Sequence, residues 1–541
     1  MMKRDKKTSS LNIHHSALAL IIITGGVLRI APIWFGLPYG NARPDEETSL
    51  GHAVAILGGD RNPHFFHWPS LTFYVLAGLF QIASTLHTIA GLSAQLTDAE
   101  RLLIARGFIA LAGTATIGVL FRIGRRIGGD LVGLIAALFL AVSILHVRES
   151  HFAMTDALMT FFAMLSLALL LRAFDSQRAP ALSERTVHAS RRVAQPGQDA
   201  RRTCSAAGVA GGLAASTKYT AVALFASLAV VHVLLLVRSR QAASRTWLAS
   251  GVFVAFFAFA FFATTPFAVL DSAKFAEDFR FNFTHLSEGH IVNLGRGWIY
   301  HITRSLPYGI SFPIFIAAIA GVVPFVRHHA AYALIVGAFA IATYASLGNG
   351  YTVFFRYVLP LVPILCLSAA IGVHRVVRSS GGARLALAFA FWGMVNCIWF
   401  DALLAKKDTR VIARAWLDAH VTRDETFYEA ENPYARLDLH GFAAHEWRYD
   451  PATESFVDAG GRTPDWLVLH ESPVWTYATA PAALRRLAAE KYDVVQTIAA
   501  TRGASRSAVY DLQDAFFMPV AGFRTVIRPG PTVLIYRRRS P

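Results

Sequence analysis

The chain has 541 residues, of which 54% are hydrophobic and 16% are charged, and its mean hydropathy is +0.42. A charged fraction this far below the roughly 25% of a soluble domain excludes a disordered chain, a secreted disulfide scaffold and an ordinary cytosolic enzyme. The three cysteines lie in or beside apolar segments and form no CxxC pair, so they indicate neither a zinc ribbon nor a disulfide framework. The composition predicts a polytopic membrane protein.

The formal net charge of +16 is distributed unevenly along the chain. Residues 406–541 carry 18 basic and 17 acidic side chains, so the first 405 residues carry 33 basic and 18 acidic ones. The basic excess lies in short loops between apolar segments, where it sets the orientation of a membrane protein. The charge therefore predicts membrane lipids as partners and does not require nucleic acid.

About eleven segments of the first 405 residues are predicted to cross the membrane as helices. A helix needs about 20 apolar residues to span the hydrocarbon core. The predicted spans are residues 15–36, 103–121, 131–147, 152–171, 205–217, 219–237, 247–268, 307–326, 330–347, 357–373 and 384–404.

A further apolar segment, residues 68–90, determines the predicted orientation. The basic residues 3–7 place the N-terminus in the cytoplasm. If 68–90 does not cross, the later basic clusters, including Arg172–Arg202 and Arg375–Arg384, face the cytoplasm; if it crosses, they all face outward. The positive-inside rule favours the first arrangement. We therefore predict a helix lying in the outer interface at 68–90 and a C-terminus outside the cytoplasm.

From residue 405 onward the composition changes to that of a soluble domain. Segments typical of strands, such as Trp466–His470, Tyr492–Thr497 and Thr532–Tyr536, alternate with segments typical of helices, such as Arg410–His420 and Ala482–Lys491. The sequence predicts a transmembrane domain at 1–404, with an outer loop at 37–101, and a soluble α/β domain at 405–541.

Ionisable residues from distant parts of the sequence are predicted to gather at the outer ends of the helices. Ionisable groups at membrane depth are functional candidates by default, which makes this gathering the main functional signal of the sequence. The set comprises Asp45, Glu46, Glu47, His64, His67, Glu149, His151, Asp156, Lys218, Asp271, Glu288, His290, Arg296 and Arg356.

Several members of this set also have a purely structural interpretation. The acids at 45–47 suit the start of a helix, and Asp156 suits an N-cap. His64 and His67 suit either metal ligation or anchoring to lipid headgroups.

The cations have structural interpretations as well. Lys218 and Arg356 suit cations that extend to the membrane interface, and so does Arg29 near the outer end of the first span.

Five short segments carry a resemblance to a known family. They are Arg43–Glu46, Asn62–Leu71, His146–Asp156, Ala215–Tyr219 and Phe355–Pro360. In this order they resemble the outer loops of GT-C superfamily glycosyltransferases, which use polyprenyl-phosphate donors. The bacterial protein O-mannosyltransferases and the lipid A aminoarabinose transferase are the most similar members. The resemblance covers about residues 10–400.

The resemblance implies an all-α polytopic GT-C-like fold in a bacterial inner membrane, followed by an outer domain. It implies transfer of a hexose or pentose from a polyprenyl-phosphate-linked sugar to a lipid, glycan or protein acceptor on the outer face, with inversion. Asp45 is the implied general base, because removal of the acceptor proton needs a carboxylate. Glu46 and Asp156 are the other implied catalytic residues.

The leaving group of such a reaction is a phosphate, which cations stabilise. Lys218, Arg356 and Arg296 are the predicted donor-phosphate contacts. A divalent metal ion is the one cofactor that the sequence neither requires nor excludes. Its candidate ligands are His64, His67 and His151.

Two other classes of membrane protein also fit a polytopic chain with buried charges. A secondary transporter places its site near the bilayer midplane between inverted repeats of broken helices, whereas the charges here lie at helix ends and no matched pair of interrupted spans is evident. A non-catalytic glycan assembly or export protein does not need the carboxylate that Asp45 supplies directly after the first span.

Overall fold

The computed structural model describes residues 2–178, 196–238, 243–376, 380–430, 433–442, 447–457, 462–503 and 507–540. Most of the predicted cytoplasmic cluster Arg172–Arg202 lies outside these residues. The chain divides into two compact units. The first consists of Met1–Ile30 and Thr48–Cys397, and the second of Ala31–Glu47 and Ile398–Pro541. The second unit thus contains a segment of the predicted outer loop as well as the C-terminal part of the chain.

The first unit is built almost entirely from helices. In chain order the helices from the N-terminus to the end of this unit are α1 (Met2–Ile30), α2 (Glu46–Leu57), α3 (Leu71–Ile89), α4 (Asp98–Gly128), α5 (Asp130–Ala141), α6 (Ile144–Ser150), α7 (Thr155–Arg178), α8 (Pro196–Ala215), α9 (Leu224–Arg238), α10 (Ala243–Thr264), α11 (Phe267–Leu270), α12 (Ser272–Glu288), α13 (Gly297–Tyr300), α14 (Leu306–Ile310), α15 (Phe312–Gly348), α16 (Val362–Val376) and α17 (Ser380–Leu404).

Within the described residues, eight helices are long and apolar enough to cross a membrane. A ninth span results if α5 and α6, which are bent by 61° relative to each other, form one broken crossing. The count falls below eleven partly because two predicted spans merge into α15, whose backbone breaks at His329 (φ −136°, ψ 40°). The predicted all-α polytopic membrane class is confirmed.

Helix α3 corresponds to the segment that the charge distribution places in the outer interface. It spans 19 residues and belongs to the eight helices that are long enough to cross. Its assignment as an interfacial helix therefore rests on the positive-inside argument alone and stays a prediction.

Glycines let α8 and α10 pack closely. A Cβ atom added at Gly208 would collide with the carbonyl oxygen of Phe253, and one added at Gly212 would collide with that of Phe257. Small residues at helix contacts are typical of membrane proteins, where van der Waals packing between backbones supplies much of the association energy. This contact fixes the position of the C-terminal end of α8, which leads into Lys218.

The structure contradicts the prediction that Arg29 extends to the interface. The Arg29 side chain is fully buried, and its guanidinium donates hydrogen bonds to the carbonyls of Leu140 (2.9 Å) and Ala141 (3.1 Å). It also lies 3.1 Å from Nδ1 of His146. Helix α5 ends at Ala141, and the last carbonyls of a helix lack intrahelical partners. Arg29 satisfies them and places a positive charge at the negative end of the helix dipole.

The second unit contains a small mixed sheet, which confirms the predicted α/β class of the C-terminal part. Its strands are β1 (Phe427–Glu429), β2 (Arg448–Asp450), β3 (Ser455–Val457), β4 (Trp466–Glu471), β5 (Tyr492–Ile498) and β6 (Thr532–Arg538), and its helices are α18 (Thr409–His420) and α19 (Ala482–Lys491). The four-stranded sheet has the order β1-β4-β6-β5, with β1 parallel to β4 and the other neighbours antiparallel, while β2 and β3 form a separate antiparallel pair.

Strand β4 lies at the centre of this domain and is buried on both faces. Because side chains alternate across a strand, Leu467 and Leu469 face one side and Trp466 and Val468 the other. The first pair packs in a cluster that includes residues of α19, and the second pair packs in a cluster that includes residues of α18. The sheet is therefore sandwiched between helices, with apolar cores on both sides.

Candidate active site

A lysine and an aspartate predicted from separate parts of the sequence meet in the first unit. Asp156 lies in the first turn of α7, and Lys218 follows α8 in an extended backbone conformation (φ −155°, ψ 129°). Lys218 Nζ donates to Asp156 Oδ1 at 2.5 Å. The Asp156 side chain is 2% exposed and that of Lys218 is 19% exposed, so the ion pair is largely removed from solvent.

The aromatic ring of Tyr357 forms a second contact of the same ammonium group. Lys218 Nζ lies 4.5 Å from the ring centroid, which is cation–π distance. Oδ2 of Asp156 is buried and has no hydrogen-bond partner among the described residues. Asp156 therefore orients Lys218 with one oxygen and offers the other as an acceptor, a role that the N-cap interpretation does not include.

Arg356 lies next to Tyr357 in the short helical turn Phe355–Leu361. Its side chain is only 8% exposed, and its guanidinium carbon lies 4.2 Å from the centroid of the Phe354 ring. Neither Arg356 nor Lys218 extends freely into solvent as the snorkelling interpretation expects. Arg356 is thus the direct neighbour in sequence of Tyr357, whose ring contacts Lys218.

The predicted outer loop Asn62–Leu71 is fastened to α12 through Asp278. Phe66 N donates to Asp278 Oδ2 at 2.7 Å, and Lys274 Nζ lies 2.9 Å from Asp278 Oδ1. The Asp278 side chain is 3% exposed. Asp278 is not among the residues predicted from the sequence, because its spacing from Lys274 is that of an ordinary surface ion pair on a helix.

The same loop is also tied to the chain on either side of Lys218. Tyr219 donates its hydroxyl to the carbonyl of Phe66 at 2.9 Å, and Leu71 N donates to the carbonyl of Ser216 at 3.1 Å. These bonds place the 62–71 loop against the junction that carries Lys218. Three predicted segments, 62–71, 146–156 and 215–219, are therefore connected through named contacts.

The three histidines considered as metal ligands lie in different surroundings. His64 is exposed and lies 3.3 Å from Asp60 and 3.6 Å from Asp271. His151 is buried, and its Nδ1 lies 2.9 Å from the carbonyl oxygen of Val147. In the part of the chain that the structure describes, no three His, Cys, Asp or Glu side chains gather into a set that could hold a metal ion. The predicted ligand set is therefore not assembled.

His67 packs against α12. Its Nε2 lies 4.0 Å from Asp278 Oδ1, and its ring centroid lies 4.4 Å from that of Phe281. Partial burial lowers the pKa of His67, an effect that the carboxylate of Asp278 opposes. This histidine is part of the fastening between the 62–71 loop and α12.

Arg296, the third predicted phosphate contact, contacts a different group. Its Nε donates to the hydroxyl of Tyr351 at 3.2 Å, and its side chain is exposed. The bond to Tyr351 raises the pKa of Arg296 further, so the side chain stays cationic. The structure gives Arg296 a contact with the 349–351 segment and none that joins it to Lys218.

The acidic residues of the first outer loop belong to the second compact unit. Asp45 has a positive φ of 70°, which is uncommon for a residue other than glycine. Glu46 begins α2 and its side chain is fully buried. Just before them, Arg43 Nη1 forms a buried ion pair with Asp514 Oδ1 at 2.6 Å. The segment is therefore firmly held within its own unit.

Part of the first unit is similar to a known protein family. Residues 67–287 match the family model described as dolichyl-phosphate-mannose-protein mannosyltransferase. This stretch contains Asp156, Lys218 and Asp278. The resemblance to glycosyltransferases that the sequence motifs carry agrees with this match, which spans less than half of the chain. A search of curated proteins found no match.

Several solved structures are similar to this chain at low sequence identity. ArnT from Cupriavidus metallidurans in the apo state is 19% identical, with 77% of this chain and 73% of that chain covered and a TM-score of 0.48. The apo Archaeoglobus fulgidus oligosaccharyltransferase is 13% identical, with 76% and 58% covered and a TM-score of 0.46. The Saccharomyces cerevisiae Pmt1-Pmt2 complex bound to the sugar donor is 18% identical, with 51% and 34% covered and a TM-score of 0.34.

Proposed function

We propose that the protein transfers a sugar from a polyprenyl-phosphate donor to a hydroxyl of a lipid, glycan or protein acceptor on the outer face of the membrane. The observation that carries this proposal is the Lys218–Asp156 pair, which lies within the stretch that matches the mannosyltransferase family model. The description of that family names a polyprenyl-type phosphate donor. A bacterial inner membrane with the C-terminal domain outside is the proposed location.

Lys218 is suited to bind the donor phosphate because it is positively charged, is held in place by Asp156 and has N–H donors left for a ligand. An ammonium group has three N–H donors, and Asp156 takes one of them. The remaining donors can bind phosphate oxygens, and charge-assisted bonds of this kind are among the strongest hydrogen bonds in proteins. Arg356 can add a planar, bidentate contact, which an ammonium cannot provide.

The proposed reaction is a single displacement with inversion. Asp45 accepts the proton of the acceptor hydroxyl while the acceptor oxygen forms a bond to the anomeric carbon. The bond between that carbon and the phosphate oxygen breaks, and its electron pair leaves with the polyprenyl phosphate. Lys218 and Arg356 stabilise the charge of this leaving group, with Arg296 as an additional candidate contact.

The backbone at Asp45 supports a functional role for this residue. Residues other than glycine in the left-handed region cost free energy, and they occur preferentially at functional sites. Asp45 has φ +70° and is directly followed by the buried carboxylate of Glu46.

The proposal is tested by incubating membranes that contain the protein with radiolabelled polyprenyl-phosphate sugars and separating lipid, glycan and protein fractions. We expect the label of one donor to move to one acceptor fraction, and the Asp45→Asn variant to lose this movement. If no donor label moves, while vesicles containing the protein take up a labelled solute, the protein is a transporter and the proposal is wrong.

A further inference from the structure

The second unit contains a cavity of about 300 Å³ at one edge of its sheet. Tyr428 and Ala430 line it at the end of β1, and His470 lines it at the end of β4. These two strands are parallel neighbours, so their carboxyl ends meet at the same edge. In open α/β sheets, the carboxyl ends of parallel strands are where ligands bind. The volume lies at the small end of the range for ligand pockets.

A buried histidine in the cavity wall has an unused polar atom. His470 Nε2 lies 2.8 Å from Glu429 Oε1, and the side chains are 2% and 7% exposed. The same carboxylate oxygen accepts a hydrogen bond from Leu437 N at 2.6 Å. His470 Nδ1, in contrast, is buried and has no hydrogen-bond partner among the described residues. Buried polar atoms are nearly always paired, so this atom points to a ligand group that completes the site.

The His470–Glu429 pair determines which polar group the ligand must bring. A carboxylate can only accept, so Nε2 carries the proton that binds Glu429. Nδ1 is then an acceptor in the neutral ring and a donor in the charged ring, and a hydroxyl group of a ligand can pair with it in either state. No Lys or Arg is among the described residues that line the cavity, and Glu429 hydrogen-bonds to His470. An anionic ligand would therefore lack a countercharge.

The remaining walls are largely apolar, and they also carry the buried hydroxyl of Tyr449, which has no hydrogen-bond partner among the described residues. They include the rings of Tyr428 and Tyr449 and the prolines Pro451 and Pro481. A matching ligand has apolar ring faces and hydroxyl groups at its edge that donate hydrogen bonds. A neutral sugar ring combines these two properties in a volume that fits this cavity.

We infer that this cavity binds one neutral sugar unit of a glycan. The inference extends the proposed function, because a glycosyltransferase whose outer domain holds a sugar has a glycan as its acceptor or product. A sugar can bind in the cavity whether or not the protein transfers a sugar. The cavity assignment and the proposed function can therefore fail separately.

The test uses the full-length protein in detergent and saturation-transfer difference NMR with methyl glycosides of neutral hexoses, deoxyhexoses and N-acetylhexosamines. Thr479 lines the cavity and is exposed, so Thr479→Trp obstructs the opening without disturbing the core. Thr497→Trp is the matched control, since Thr497 is an exposed threonine on β5 outside the cavity. Thermal unfolding of both variants checks that they fold like the unsubstituted protein.

We expect at least one methyl glycoside to receive saturation from the unsubstituted protein and from Thr497→Trp, and at least fivefold less from Thr479→Trp. Equal transfer in the two variants, or no transfer to any glycoside, overturns the inference. If a proline-rich peptide binds at the cavity and none of the glycosides does, the inference is overturned as well. If a glycoside binds but no donor sugar is ever transferred, the cavity assignment stands and the proposed function fails.

Discussion

Lys218 Nζ lies 2.5 Å from Oδ1 of Asp156, and this pair joins the start of α7 to the end of α8. The carboxylate is almost fully buried, whereas the ammonium retains a path to solvent. Such a pair holds a cation in a fixed position before any anion arrives, so little conformational entropy is lost when a phosphate binds. The pair is therefore a preorganised phosphate contact in the proposed site.

Replacing Lys218 with Ala is expected to weaken use of the donor. A hydrogen bond to a charged group contributes about 1.5–3 kcal/mol, which corresponds to roughly 10- to 150-fold in donor affinity. The measurement is donor binding and turnover in detergent-purified variants. Arg280→Ala is the control, because Arg280 is an exposed cation of the same unit. Unchanged donor kinetics in Lys218→Ala would remove this residue from the site.

The sequence singles out the residues of the candidate site one by one, but it does not give the contacts between them. Hydropathy identified the helices, and the ionisable residues at their ends stood out against apolar surroundings. Asp156 and Lys218 were both recognised, yet 61 residues lie between them, and only the packing of α7 against α8 brings them together. Asp278 was missed, because a carboxylate on a polar helix becomes buried only when the 62–71 loop folds over it.

For Arg29 and for two of the candidate metal ligands, the local partners could not be foreseen from the sequence. Arg29 was expected to extend to the interface, but the break between α5 and α6 exposes carbonyls that only the folded structure reveals. The histidines at 64 and 67 have helix-like spacing for a shared metal, but each finds a separate carboxylate partner, Asp271 and Asp278 respectively. In both cases tertiary contacts decide how the side chain is used.

Asp278→Asn is expected to loosen the 62–71 loop. The substitution removes the charge that accepts from Phe66 N and pairs with Lys274, at a site that is 3% exposed. We expect a loss of about 1.5–3 kcal/mol in local stability, the contribution of one charged hydrogen bond. Limited proteolysis within residues 57–70 measures the loosening. Glu277→Gln is the matched control, since Glu277 also contacts Lys274 but is 72% exposed. Equal cleavage of both variants would show that Asp278 does not hold the loop.

Arg29→Met is expected to destabilise the first unit. The substitution keeps an unbranched apolar stem but removes the guanidinium that donates to the carbonyl of Ala141 and, beside the backbone N–H of Ser143, to that of Leu140. The expected loss is at least about 1.5–3 kcal/mol, and it should appear as a lower unfolding temperature in detergent. Arg238→Met is the control, because Arg238 is exposed at the end of α9. If both variants unfold at the temperature of the unsubstituted protein, Arg29 contributes no net stability.

The orientation of the chain is tested by reporter fusions. We expect a reporter that is active only outside the cytoplasm to be active when fused after Tyr536 and silent when fused within residues 180–200. This follows from the positive-inside rule if α3 lies in the interface and does not cross. The opposite pattern would show that α3 crosses the membrane, and the predicted outer face would then be the cytoplasmic one.

The last prediction concerns the base of the proposed reaction. Asn at position 45 keeps the shape of the side chain but cannot accept a proton at neutral pH, and positioned general-base catalysis contributes about 10²–10⁴-fold in rate. Asp45→Asn should therefore nearly abolish transfer while donor binding and membrane insertion stay intact. Because Asn also tolerates the left-handed backbone that Asp45 adopts, the substitution adds little strain.

The neighbouring acids supply the controls for this experiment. Glu46→Gln should reduce turnover less than Asp45→Asn if Glu46 only supports the site, and Glu47→Gln, at an exposed position of α2, should reduce it least. Turnover and donor binding are measured side by side for all three variants. Near-normal turnover of Asp45→Asn together with an inactive Glu46→Gln would assign the base to Glu46. If all three variants remain active, the acids at 45–47 serve only to start α2, and the proposed mechanism is wrong in its central step.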